Sequence, residues 1–514
     1  MTDDWTAGYV ADIGYTYGYY PELNPLRARL ALLHAGLACP TFENACELGF
    51  GQGLSVNLHA AASGVHWAGT DFNPAQAAFA QELAAASGSG ARLFDQSFEE
   101  LAARTDLPEF DYIGLHGIWS WISDANRAVI VDFVRRRLKV GGVLYVSYNT
   151  LPGWAAFAPM RHLMTEHAQV IGAEGAGIVS RIDGAIDFAE KLLACNPAFA
   201  RANPQVQDRV KRLKGQNRHY LAHEYFNRDW HPMHFGTMAG WLEPAKVQYA
   251  GSAHLLDHIE AVNLTAEQRT LLREVPDPMF RESVRDFVVN QQFRRDHWVK
   301  GARRMSALEQ REALCAFRVV LGVPVADVPA KVSTPLGEAT LNVKVTEPLL
   351  KIMGDHQPRS IGELEQQLAA SAVTYANLLE VVMILVGSGH LHPAQSEAQA
   401  SACRVSAQRL NAHLMARARA SADIGHLASP VTGGGVSVGR FGQLFLAARA
   451  AGQAEPAQWA QSAWQSLEAQ GQRLIKDGKR LDESADNVQE LGRLAGDFAQ
   501  RQLPVLQALQ VTGD

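Results

Sequence analysis

Between residues 41 and 149, strand-length apolar runs alternate with helix-length amphipathic stretches, and this rhythm constrains the fold more than anything else in the chain. NACELGF leads into GLSVNLHAAAS, HWAGTDF into AQAAFAQELAAA, ARLFD into SFEELAAR, and DYIGLHG into NRAVIVDFVRRRL, before GGVLYVSYN closes the series. Such alternation indicates βαβ units and a parallel sheet, here of five strands. A mostly helical stretch, Pro159 to about Asp229, follows. KVQYAGSA (Lys246–Ala253) and FRRDHWVKG (Phe293–Gly301) then read as two more strands. After about Met305 the texture changes to a small α+β module. HPAQSEAQAS reads as a linker, and the Ala- and Gln-rich remainder reads as mainly helical, broken by a loop at SPVTGGG. With 514 residues the chain is too long for one core, so two to four domains are expected.

The stretch ELGFGQG (Glu47–Gly53) lies where the first strand should turn into its helix. A glycine-rich turn there sets backbone N–H groups and a helix N-terminus against a polar ligand. The dinucleotide fingerprint G-x-G-x-x-G fails, because Leu54 occupies the third glycine position. The pattern is E-x-G-x-G-x-G, on Gly49, Gly51 and Gly53. A carboxylate at Glu47 would repel a pyrophosphate but suits an ammonium, such as the methionine amino group of S-adenosylmethionine. Asp71 follows Gly53 by 18 residues, at the end of the second strand, where a carboxylate accepts both ribose hydroxyls. Asp95 ends the third apolar run, where it can take the adenine amino group.

Composition excludes several classes. A net charge of −6 gives no whole-chain reason to expect nucleic acid or an acidic membrane as partner. The five cysteines are scattered, never in CxxC, which suggests reduced intracellular thiols and no zinc site. The start MTDDWTAGYV does not read as a signal peptide, and no apolar run reaches about 18 residues. A cytoplasmic protein is expected, with no metal and no membrane insertion.

The segments ELGFGQG, GTDFNPAQ, LPEFDYIGLHGIWSWIS, LKVGGVLYVSYNTLPGW, HEYFNRDWHPMHF and RDFVVNQQFRRDHWVKGARR resemble class I S-adenosylmethionine-dependent methyltransferases. Within that class they are most similar to bacterial enzymes with a methyltransferase regulatory domain, which include rickettsial outer-membrane-protein lysine methyltransferases. The resemblance implies an α/β fold: a Rossmann-like, seven-stranded methyltransferase domain over 1–305, with an N-terminal cap (1–40) and a helical insertion (155–240). A small α+β, winged-helix-like module (306–395) and a mainly helical region (396–514) follow. It also implies S-adenosylmethionine as cofactor, held by Glu47, Gly49, Phe50, Gly51, Gly53, Asp71, Phe72, Asp95, Gln96, Ser97, His116, Tyr17 and Tyr20.

Ligands of open α/β sheets bind beyond the carboxyl ends of the strands. Beyond the fourth strand stand His116, Trp119 and Trp121; beyond the fifth stand Tyr148, Asn149 and Trp154. Tyr15, Tyr17, Tyr19 and Tyr20 add to this aromatic concentration, which suits a sulfonium and a lysine ammonium through ring-face attraction. Tyr148, Asn149 and His116 are the catalytic candidates, chiefly for holding an amine in line. Trp119, Trp121, Trp154, His223 and Tyr225 are the candidates for substrate contact, although the two tryptophans of WSW serve equally as core plugs.

Three motifs are set aside. His219 and His223 share a helix face, but Tyr220 stands where a zincin needs glutamate, so no metal is assigned. GVSVG (Gly435–Gly439) matches the hydrolase G-x-S-x-G but reads as flexible loop. RRDHWVKGARR (Arg294–Arg304) reads as a solvated strand face or an interdomain contact, with docking of an acidic protein left open.

The expected activity is methyl transfer from S-adenosylmethionine to protein lysines. A small-molecule N- or O-methyltransferase and a non-catalytic cofactor-binding module stay open, as does a homodimer.

Overall fold

The computed structural model describes residues 14, 16–172, 175 and 177–513; Tyr15 and the N-terminal run before Gly14 lie outside them. After α1 (Pro25–His34), the alternating segment forms five strands and the helices between them. These are β1 (Asn44–Leu48), α2 (Leu54–Ala62), β2 (His66–Thr70), α3 (Pro74–Ser87), β3 (Arg92–Phe94), α4 (Phe98–Ala103), β4 (Phe110–Leu115), α5 (Asp124–Arg137) and β5 (Leu138–Asn149). Asn73, Ser97 and Ser123 each cap the helix that follows with a side-chain oxygen, which fixes where α3, α4 and α5 begin.

The two later strands, β6 (Val247–Ser252) and β7 (Phe293–Lys300), complete a seven-stranded sheet of order β3-β2-β1-β4-β5-β7-β6. β1 to β5 are parallel, whereas β7 runs antiparallel to both of its neighbours. Strand order reverses between β1 and β4, so a crevice opens beyond the carboxyl ends of these two strands. Apolar cores fill both faces, one around Ile113, Trp119 and Val146, the other around Ala45, Tyr112 and Tyr145.

The basic run is not solvated throughout, as the sequence suggested. Arg294, at the start of β7, is buried and reaches Asp286 (2.7 Å), Glu282 (2.8 Å) and Asp296 (3.0 Å). One strand position on, Arg295 pairs with Glu22 (3.0 Å) near the N-terminal segment.

Helices Ala158–Val170, Gly177–Ala194, Gln205–Lys214 and Arg218–Tyr225 build their own core, which includes Ile182 and Val210. Strands Arg318–Leu321, Arg359–Ser360 and Leu391–Pro393 form a three-stranded antiparallel sheet. Its core takes in Leu30 and Leu33 of α1. The largely helical C-terminal region shares a core with Leu54 and Leu58 of α2 and with Phe79 and Leu83 of α3. The SPVTGGGVSVG stretch departs from the expected flexible loop: His426–Ser429 and Gly434–Ser437 pair as an antiparallel hairpin, largely buried. That hairpin is not the parallel strand on which a hydrolase nucleophile sits. Among the described residues, no helix is long and apolar enough to cross a membrane.

Candidate functional site

The crevice beyond β1 and β4 is an open cleft enclosing about 1370 Å³ of space, part of it open to solvent.

Its floor is the glycine loop. Gly49, Gly51 and Gly53 all adopt positive φ (71°, 57° and 70°), which explains why three alternating positions are glycine. Gly53 also sits at the N-cap of α2 in the left-handed conformation. A Cβ at Gly49 would run into Ile118, and one at Gly53 into Ala80. The loop backbone donates to Asp71: Gly51 N–H reaches Oδ2 at 2.8 Å, while Asn73 N–H reaches Oδ1 at 3.0 Å. Each Asp71 oxygen keeps a lone pair for a ligand hydroxyl.

Glu47, the penultimate residue of β1, lies at the cleft floor, 2 % exposed, and its Oε2 meets no hydrogen-bond donor among the described residues. Burial, assisted by the Asp71 charge, pushes its carboxyl up to about 8. Burial likewise raises Asp71 to about 6, against the two backbone N–H groups that favour its anion. A buried carboxylate with an open oxygen calls for a cation.

Above the loop, His116 and Tyr20 stack at 3.9 Å between ring centroids, and both line the cleft. The His116 Nδ1 lies 2.7 Å from the Tyr145 hydroxyl, and burial lowers the imidazole to about 4, so the ring is neutral near pH 7. Ser147 accepts from Gly117 N–H (2.8 Å), which pins the turn after β4 to β5. Phe50, Phe72, Gln96 and Ser97 lie on the wall as expected, and so does Trp121. The far side is formed by the helix Arg218–Tyr225 and the residues after it, where His223, Glu224 and Asp229 line the cleft.

Several sequence candidates lie elsewhere. Tyr148 faces the opposite side of β5 from Tyr145, fully buried, and donates to Asp296 Oδ2 at 2.8 Å. Asn149 is buried at the strand end, its N–H given to Ser120 Oγ and its carbonyl taking Met233 N–H; it is not on the cleft wall. Trp119 is a core plug, edge-on to Trp241. Trp154 and Tyr225 pack against each other in the core of the inserted helices, with Arg209 over the Trp154 ring. Asp95 is exposed and off the wall, its neighbours Gln96 and Ser97 taking that place. Tyr17 lies edge-on to Phe79, in a crevice with Leu414 and Arg417. His219 reaches the Gly14 carbonyl (3.0 Å) while His223 enters the cleft, so the pair does not converge. Glu224, Asp229, Gln76 and Asn126 line the cleft without having been singled out. Only Glu224 had a local signal, its place beside His223 on one helix.

This sheet order with a reversed seventh strand, and a strand-end cleft floored by an acidic glycine loop, define the class I S-adenosylmethionine-dependent methyltransferase architecture. Residues 217–300 match the model of a predicted methyltransferase regulatory domain. The protein sll1526 of Synechocystis sp. is 40% identical over 513 residues, 99% of this chain and 100% of that one. The chain belongs to the family of that protein. RP789 of Rickettsia prowazekii is 24% identical over 379 residues, covering 72% of this chain and 65% of its own. PKMT2 from Rickettsia typhi, solved in complex with AdoHcy, superposes with a TM-score of 0.67 at 15% identity, covering 96% of this chain and 98% of that one. The two share their fold along nearly their whole length.

Proposed function

We propose that this protein is an S-adenosylmethionine-dependent methyltransferase whose acceptor is an amine, in the first place the side chain of a protein lysine. The observation that carries the reading is the charge of the cleft: Glu47, Asp71, Glu224 and Asp229 line it, and no lysine or arginine stands among its described lining residues. A wall of that kind favours cations and disfavours phosphate or carboxylate acceptors.

The residues present fit the cofactor. Glu47 would take its amino group, Asp71 its ribose hydroxyls, and the positive-φ glycines let the loop backbone approach it closely. When bound, S-adenosylmethionine supplies a methyl group on a sulfonium, which the acceptor nitrogen takes by in-line displacement, leaving S-adenosylhomocysteine. Positioning by the protein then carries most of the acceleration. The Tyr20 ring, stacked on His116, places an aromatic group at the cleft wall, where a cation is stabilised. Glu224 and Asp229 add acidic character to the wall on the side of the inserted helices, Asp229 sharing its charge with Arg228 (3.3 Å). An ordinary lysine, with pKa about 10.4, must lose its proton before attack, and partial burial near a second positive charge promotes that loss.

Protein lysine is supported by the resemblance to the rickettsial lysine methyltransferases. On this reading the protein works in the cytoplasm, with 1–305 as the catalytic part and 306–395 and 396–514 as additions packed on its helices. Incubation of the purified protein with methyl-tritiated cofactor and a cell lysate tests the acceptor. Label in acid-precipitable protein, recovered as methyllysine after hydrolysis, is the expected result. Label confined to the metabolite fraction rules out lysine.

A further inference from the structure

The SPVTGGGVSVG hairpin has no part in the chemistry above, yet it touches the segment that covers the cleft. Residues 16–20 form a strap. Thr16, Gly18 and Tyr20 turn toward the cleft, and Tyr19 turns the other way. Its ring packs between His59 of α2 (5.3 Å) and His426 of the hairpin (4.9 Å). The hairpin comes so close that only glycine fits. A Cβ at Gly434 would lie 2.6 Å from the Tyr19 hydroxyl and 2.9 Å from Asn24 Nδ2, and one at Gly435 would lie 3.0 Å from the Tyr19 ring. Asn24, four residues beyond the strap, donates to the Thr432 carbonyl at 3.3 Å while its Oδ1 caps α1.

We infer that this hairpin is a clamp by which the C-terminal region positions the cofactor-covering strap, with Tyr19 a positioning residue acting through Tyr20. The inference rests on the reading of the cleft as the S-adenosylmethionine site. Adjacent residues of an extended strap point to opposite sides. Seating Tyr19 in the hairpin therefore sets the direction of Tyr20, whose ring stacks on His116 at the cleft wall. Two of the three glycines, Gly434 and Gly435, are explained by contact with a residue more than 400 positions away, and the C-terminal region gains a role at the site without contributing a side chain to the cleft wall.

Calorimetric titration of the full chain with S-adenosylhomocysteine tests this. Tyr19→Phe keeps the ring and should bind within about twofold of wild type, whereas Tyr19→Ala should bind roughly tenfold or more weakly. Tyr20→Ala should lose a similar factor, and adding Tyr19→Ala to it should cost nothing further, because both act through one contact. Circular dichroism melting of the ligand-free variants separates loss of fold from loss of positioning. If Tyr19→Ala melts early, Gly435→Ala, which crowds the same ring from the hairpin side, is read in its place. Wild-type affinity in Tyr19→Ala or Tyr20→Ala, or losses that multiply in the double variant, overturns the clamp. A wild-type chain that does not bind S-adenosylhomocysteine overturns the cofactor reading instead.

Discussion

Glu47 is the residue on which the chemistry turns, because burial leaves it costly to ionise until a cation arrives. Replacing it with Gln keeps the shape but removes a charged hydrogen bond worth about 1.5–3 kcal/mol, which is about 10- to 150-fold in cofactor affinity by equilibrium titration. The pH dependence has a definite sign. The carboxyl sits near 8 in the ligand-free site and must lose its proton to meet an ammonium. Affinity should therefore fall as pH drops below about 8, by up to about tenfold per unit. Stability of the ligand-free protein runs the opposite way. Raised carboxyl values at Asp71 and Glu47 mean that stability present at low pH is lost as pH climbs through about 6 and about 8. Melting temperatures between pH 5 and 9, with Glu47→Gln as the flattened control, check this. Glu47 and the three glycines were legible in the sequence because strand, turn and helix cap lie within one short segment, and Asp71 because it follows the end of the next strand at a fixed spacing. Tyr148 was misread for an equally physical reason. Side chains alternate along β5, and a shift of one position moves a residue from the cleft side to the opposite core. Tyr148→Phe should accordingly cost about 1–3 kcal/mol of stability, from the lost bond to buried Asp296, while leaving kcat unchanged. A large loss of kcat with an unaltered melting curve would return Tyr148 to the catalytic set.

At the scale of elements, β7 is held by charge as well as by the ladder. Arg294 gathers Asp286, Glu282 and Asp296 in a site where its side chain is 3% exposed. Arg294→Met leaves those acids without their cation and should destabilise the fold by about 3–5 kcal/mol, seen as a lowered denaturant midpoint. The sequence marked β7 as a strand, because FRRDHWVK reads as one, but composition could not say that the first arginine of a basic run turns inward. Burial of that arginine depends on helix Pro278–Val288, which supplies Glu282 and Asp286. The hairpin at 426–437 was missed for a similar reason. Its glycines look like flexibility in isolation, but Gly434 and Gly435 are crowded by Tyr19, Asn24, Leu58 and His59, which the fold brings from the N-terminal end.

On the scale of the whole molecule, the cores do not follow the textures of the chain. The C-terminal region packs on α2 and α3, the two helices that follow the glycine loop and Asp71, while the middle module packs on α1. A chain ending at residue 395 would expose Leu54, Leu58, Phe79 and Leu83, and is expected to aggregate or to lose cofactor binding; a soluble, fully binding 1–395 fragment would show that the shared core is dispensable. Helical content after residue 396 was readable from composition, but its seat against α2 depends on contacts such as Ser406 Oγ to the Ala61 carbonyl (2.6 Å) that no local pattern announces. Glu224 and Asp229 belong to the same class of feature, brought to the cleft by the inserted helices from outside the strand-end loops. The central claim is that this acidic cleft holds S-adenosylmethionine by its amino group on Glu47. Calorimetric titration with S-adenosylmethionine at pH 7, repeated in buffers of different ionisation enthalpy, measures it directly. The account predicts one-to-one saturable binding with release of close to one proton, and loss of that proton release in Glu47→Gln. Absence of binding at millimolar cofactor, or binding and proton release identical in the two proteins, would contradict it.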